Sequence, residues 1–101
     1  MPAYYHSVDK NTPQIDDVAR EEGFHIIDTS WVGRGFPDRI YYRLGSPRLF
    51  LFIEIKNKAG HGNRLKESQK KFQEEHPGIV DVVCTPEELR LIICKIKSRL
   101  V

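Results

Sequence analysis

Between Asn11 and Phe24 the apolar residues recur with the period of a helix, with Ile15, Val18 and Ala19 on one face at i, i+3, i+4. Asn11 or Thr12 caps this segment, Pro13 suits the first helical position, Asp16 and Asp17 lie toward the positive end of the dipole, and Gly23 stops it. The pattern then changes. "FHIIDTSWV" (24–32) and "RIYYRL" (39–44) are β-branched and aromatic runs, separated by the loop "GRGFPD" with its two glycines and a proline. After the turn "GSPR", "LFLFIEIKN" (49–57) predicts a third strand, and the two short connections predict an antiparallel meander. "KAGHGN" reads as a flexible loop, a helix over about 64–76 ends at Pro77-Gly78, and "IVDVVCT" (79–85) is a fourth strand. "TPEE" opens the last helix with a capping box, and Leu89, Ile92, Ile93, Ile96 and Leu100 give it an apolar face. Residues 1–10 read as a loose arm. The order α-β-β-β-α-β-α predicts a single α/β domain over 1–101, a central mixed four-stranded sheet flanked by helices.

The third strand has two unlike ends. Leu51, Ile53 and Ile55 point to one face, and Phe50, Phe52, Glu54 and Lys56 to the other. Both faces are apolar for most of the length, which predicts a central strand covered on both sides. Burying a carboxylate and an ammonium there is costly unless each is paired or bound. A same-face ion pair where the strand meets water accounts for Glu54 and Lys56 taken alone. Asp38 changes that. It opens the second strand, and antiparallel pairing brings it beside Glu54. Two carboxylates so placed repel unless a divalent cation lies between them. A lysine one step further can hold a water or a phosphate oxygen, as metal-assisted hydrolysis requires. Gln69, between Leu65 and Phe72 in helical spacing, and Gln14, four before Val18, are expected to face inward, either as core amides or in support of the acids.

Bulk properties narrow the class. Of 101 residues 40% are apolar and 30% charged, which reads as globular, and the longest apolar run, Leu49 to Ile53, is far short of the roughly 20 residues of a membrane helix. The first ten residues lack a basic-then-apolar leader pattern, so a cytoplasmic location is expected. Cys84 and Cys94 read as buried free thiols in a reducing compartment. The net charge of +2 is small, but basic residues crowd the middle of the chain. Arg34 and Arg64 flank the acids in loops as candidate phosphate contacts, with Lys58, Lys66, Lys70 and Lys71 in the same basic stretch. Trp31, Tyr41 and Tyr42 are open to two readings, base stacking or packing, and His61 reads as a solvated loop residue.

Pro37-Asp38 followed by Glu54-Ile55-Lys56 on a core strand resembles the PD-(D/E)XK nuclease superfamily. The ordered set "VDKNTPQIDDVAREEG", "DTSWVGRGFPD", "FLFIEIKNK" and "LKESQKKFQ" resembles the virus-type replication-repair nuclease (VRR-NUC) domain, above all its small stand-alone phage and bacterial members. The resemblance spans about Asp9 to Val83 and implies a restriction-endonuclease-like fold. It also implies Mg²⁺, with Mn²⁺ able to substitute, held by Asp38, Glu54 and the carbonyl of Ile55. Lys56 would stabilise charge or orient the attacking water, and Gln69 would assist from its helix. Two departures stand out. Gln14 takes the place where many relatives carry an acid, and Lys66 the place of a Thr or Ser cap.

The expected function is therefore a metal-dependent endonuclease hydrolysing phosphodiester bonds in DNA, with branched, flapped or four-way structures as candidate substrates. A DNA-binding module that keeps the fold without the chemistry, and a ribonuclease, are the alternatives. A homodimer is also expected, because one domain has room for one site and coordinated cutting of two strands needs two. Tyr4, Tyr5, Tyr41 and Tyr42 are candidate interface aromatics, or else cover the ends of the monomer's own core.

Overall fold

A computed structural model describes residues 11–57 and 65–100. Helix α1 (Thr12–Glu21) leads into strands β1 (His25–Asp28), β2 (Arg39–Arg43) and β3 (Leu49–Ile55), followed by helix α2 (Glu67–Glu75), strand β4 (Val80–Val83) and helix α3 (Pro86–Arg99). Among the described residues the architecture is α/β, one mixed sheet of order β1-β2-β3-β4 with three helices. The first three strands form the expected antiparallel meander, and β4 joins β3 in parallel after the α2 crossover.

Local chemistry explains most boundaries. Thr85 caps α3, its hydroxyl accepting from the Glu88 N–H while the Glu88 carboxylate accepts from the Thr85 N–H. β1 stops four residues before the run of apolar residues does. There the Asp28 carboxylate takes the Ser30 N–H and hydroxyl, and the Val32 N–H bonds to the Thr29 carbonyl, so the chain turns and leaves Trp31 74% exposed. Asn11 precedes α1 without a side-chain cap bond to the helix. Its Nδ2 instead donates to the carbonyls of Lys56 and Cys84, tying the start of α1 to the ends of β3 and β4.

The core lies on one side of the sheet. Ile15, Val18 and Ala19 of α1 and Leu89 and Ile93 of α3 pack with Tyr41, Leu51, Ile53, Ile55, Val83 and Phe24 in one buried cluster. Each fully buried leucine or isoleucine is worth about 1.5–3 kcal/mol, so this side carries most of the fold's stability. The other side is covered less. Phe52 meets Phe36 edge-on, Phe36 meets Phe72 of α2, and beyond them Phe50 is 52% exposed. The expectation of a strand covered on both sides thus holds only near its C-terminal end, because α2 is nine residues long and roofs just that part.

Other expectations need correction. Cys84 and Cys94 are free, but Cys84 is half-buried and Cys94 exposed, since Leu89, Ile92, Ile93 and Ile96 turn the opposite side of α3 to the core. Leu100, at the C-terminal cap of α3, is also exposed. Asp16 does not serve the dipole at the helix start: it is buried in a polar network described below. The expected arm, Tyr4, Tyr5 and the 58–63 loop with His61 lie outside the described residues. Among the described residues no helix is long and apolar enough to cross a membrane.

Candidate active site

Register brings the two acids together. Arg39 pairs with Ile53, so the next step of the antiparallel ladder sets Asp38 opposite Glu54 on the side of the sheet that faces α2. The Asp38 Oδ2 accepts the Ile55 N–H at 2.9 Å. The Lys56 Nζ stands 3.4 Å from the Glu54 Oε2, and both side chains are almost fully buried. Gln69 Nε2 donates to the same Glu54 oxygen at 2.8 Å, while its Oε1 accepts the Lys66 N–H at 2.7 Å. One amide thus closes the first turn of α2 and fixes the acid. This also answers the Lys66 departure: a lysine has no acceptor to cap a helix, and Gln69 supplies the other half of the box from within.

Burial, then the neighbouring Asp38 charge, push the Glu54 carboxyl up to about 8, with Lys56 opposing them. The two carboxyls lie close enough to share a hydrogen bond, which raises it further. Two acids in one dry place disfavour each other's ionisation, a strain that a cation between them would relieve.

The donor set fits a hard cation. Among the described residues no group of three or more His, Cys, Asp and Glu side chains converges, so the candidate oxygens are two carboxylates and a backbone carbonyl. Mg²⁺ is commonly held by one or two carboxylates and completes its octahedron with water and substrate oxygens. The carbonyl is accounted for by the strand itself. A strand residue directs its N–H and C=O toward the same edge, so the Ile55 carbonyl lies on the side where its N–H meets Asp38.

The loop before Asp38 is shaped to meet α2. A Cβ on Gly35 (φ +82°) would lie 2.0 Å from the Ser68 carbonyl oxygen, so only glycine allows this approach. Arg34, in a left-handed conformation at φ 57°, lines with Ser68, Lys71, Phe72 and Glu75 a cleft of about 380 Å³ beside α2. Lys66 and Lys70 are exposed on or next to the same helix. Lys58 and Arg64 lie outside the described residues. Gln14 does not face inward as expected: it is exposed, one position before fully buried Ile15. Of the aromatics, Tyr41 is core, and Tyr42 stacks between His25 and Phe50.

The sequence reading overlooked what lies behind Asp38. Arg39, buried on the core side, donates to Asp16 through Nε (3.1 Å) and Nη2 (3.4 Å) and to Asp28 through Nη1 (2.9 Å). The Tyr41 hydroxyl donates to Asp16 at 2.6 Å. Burial lowers the Arg39 pKa, but the hydrogen bond and charge of Asp16, with Asp28, outweigh it and raise it on balance. Burial and the Asp16 carboxylate push the Tyr41 phenol up as well. A signal was present: Asp16 continues the i, i+3, i+4 stripe of Thr12 and Ile15, an acid on an apolar face.

Comparison with protein-family models, with curated proteins and with solved structures gives no match.

Proposed function

We propose that the protein is a metal-dependent nuclease of the VRR-NUC type, with a restriction-endonuclease-like fold, hydrolysing phosphodiester bonds in DNA. The observation that carries the reading is the convergence of Asp38, Glu54, Lys56 and Gln69 at one end of β3. Asp38, Glu54 and the Ile55 carbonyl would hold Mg²⁺ or Mn²⁺. When bound, the ion supplies a Lewis acid for the phosphoryl oxygens and lowers the pKa of water. Lys56, held beside Glu54, offers a cation to the negative charge that builds up on the transferring phosphoryl group. Gln69 keeps the Glu54 carboxylate oriented and ties it to α2. Arg34 and Lys71 line the cleft beside α2, and Lys66 and Lys70 are exposed on or next to that helix, cations suited to a phosphate backbone.

The test is a cleavage panel of single-stranded, duplex, flapped and four-way DNA with matched RNAs, in Mg²⁺, Mn²⁺ and EDTA, beside a calorimetric Mn²⁺ titration. Metal-dependent DNA cleavage with Mn²⁺ binding supports the reading. Nucleic-acid binding in EDTA with no cleavage in any metal would make the chain a binding module, and cleavage of RNA alone a ribonuclease. The reading extends to a homodimer, since one site per chain must be doubled to cut two strands together. Light scattering near twice 11.8 kDa supports this, and a monomer that cuts both strands of a junction together removes it.

A further inference from the structure

Asp38 lies one residue before the first paired residue of β2. The β2–β3 ladder ends at the Arg39–Ile53 pair, and the residue before Asp38 is a proline without an N–H. An acid that must meet a second acid needs its backbone held to within roughly 0.5 Å. Three hydrogen bonds from outside β3 converge on this dipeptide. The Thr29 hydroxyl donates to the Pro37 carbonyl at 2.7 Å, the Thr29 N–H to the Asp38 carbonyl at 2.9 Å, and Arg39 Nη1 to the same Asp38 carbonyl at 3.1 Å. Thr29 and Arg39 are both buried.

The arginine is itself braced. Asp16 from α1 and Asp28 from the end of β1 hold its guanidinium, and Tyr41 holds Asp16. Such a buried charge network is a poor device for stability alone, since apolar residues of similar volume often do as well or better. What it does here that apolar packing cannot is present a donor, in a set direction, to one carbonyl. That carbonyl belongs to the acid opposite Glu54.

We propose that Thr29 and Arg39 are positioning residues for Asp38, holding the carbonyls of Pro37 and Asp38 on the β1 side so that the Asp38 carboxylate is presented to Ile55 and Glu54 on the β3 side. The proposal rests on the nuclease reading for its consequence in catalysis, but the clamp has its own readout. The Ile55 N–H is donated to the Asp38 carboxylate, so its exchange with solvent reports on whether Asp38 is held.

The experiment compares Thr29→Val, which keeps the shape and loses the hydroxyl, with Thr29→Ser, which keeps the hydroxyl. Tyr41→Phe serves as the control, because it removes a hydrogen bond from the network without touching either carbonyl. In metal-free protein, amide exchange at Ile55 should speed up by roughly five- to tenfold in Thr29→Val relative to Leu51 and Ile53, and match the parent in Thr29→Ser. In Tyr41→Phe, Ile55 should shift only in step with the other β3 amides. Mn²⁺ affinity and single-turnover cleavage should fall by about 10- to 100-fold in Thr29→Val and recover in Thr29→Ser. Unchanged Ile55 exchange in Thr29→Val overturns the clamp, as does an equal selective loss in Tyr41→Phe or a Thr29→Ser protein as impaired as Thr29→Val. A parent that neither binds Mn²⁺ nor cuts DNA defeats the nuclease reading instead, and the exchange measurement still decides the clamp.

Discussion

The two sides of the sheet are made from alternate residues of the same strands, yet they follow opposite rules. On the core side Tyr41, Leu51, Ile53, Ile55 and Val83 are buried among α1 and α3, and the polar groups present, Arg39 and Asp16, are matched donor to acceptor. On the α2 side apolar cover thins out, Phe50 and Val82 reach solvent, and at the strand end burial and the neighbouring Asp38 disfavour the ionised form of Glu54, with Lys56 opposing them. The difference separates stability from chemistry. A dry, saturated face can hold the chain together, and a face with unspent electrostatic demand can hold something else. Substitutions on the α2 side should therefore change reaction and metal binding with little effect on folding, and those in the apolar cluster of the core side the reverse.

The sharpest test is Asp38→Asn. The amide oxygen can still accept the Ile55 N–H, so the fold is kept, while the charge is lost. Cleavage and Mn²⁺ binding should be abolished, and the denaturation midpoint should stay level or rise, because Glu54 is relieved of a like charge. Mn²⁺ binding equal to the parent's would refute the assignment of Asp38.

The mirror experiment is Leu89→Ala on α3, fully buried in the core. It should cost about 2–5 kcal/mol in denaturant unfolding, with the cleavage rate per folded molecule unchanged. A catalytic loss in fully folded protein would show that the two sides are not separable.

Lys56→Ala should then lower the single-turnover rate on the order of a hundredfold at saturating DNA, with DNA affinity nearly unaltered because other basic residues carry it. A mutant that cuts at the parent's rate once saturated would remove the lysine from the chemistry.

The mildest change is with pH. Glu54 titrates near 8 when folded against a model value of 4.5, so between these values the folded state holds a proton that the unfolded chain has released. The stability that this proton provides is fully present below about 4.5 and is lost as pH rises through about 8, with a slope of at most about 1.4 kcal/mol per pH unit. Metal-free unfolding measured from pH 5 to 9 should show the decline, and Glu54→Gln should flatten it. Mn²⁺ affinity should rise over the same range as the proton leaves. A parent whose stability is flat across that window would contradict the raised value.

Much of this was legible in the chain. Periodicity and punctuation located all seven elements, because caps, glycines and prolines act on their own neighbours: "TPEE" starts α3, and Pro77-Gly78 follows α2. Strand alternation put Glu54 and Lys56 on one side of β3, and the antiparallel meander placed Asp38 next to them, as the register has it. The turn at Asp28 was missed because a side chain, not a glycine or proline, makes it. Gln14 was misplaced because one helical spacing to Val18 does not say which flank of the stripe is covered.

What the sequence by itself determined is local: where helices and strands begin, and which residues, acids and lysine included, share a side of a strand. What only the tertiary structure decided is which distant groups meet. Asp16 and Arg39, from α1 and β2, become a buried pair, Thr29 finds the carbonyls of Pro37 and Asp38, and Gln69 divides its amide between Lys66 and Glu54. The reason is physical. A periodic pattern reports that a side chain is turned inward, but the partner of a buried polar group is set by packing between elements far apart in the chain, and that contact leaves no mark on the residues beside either partner.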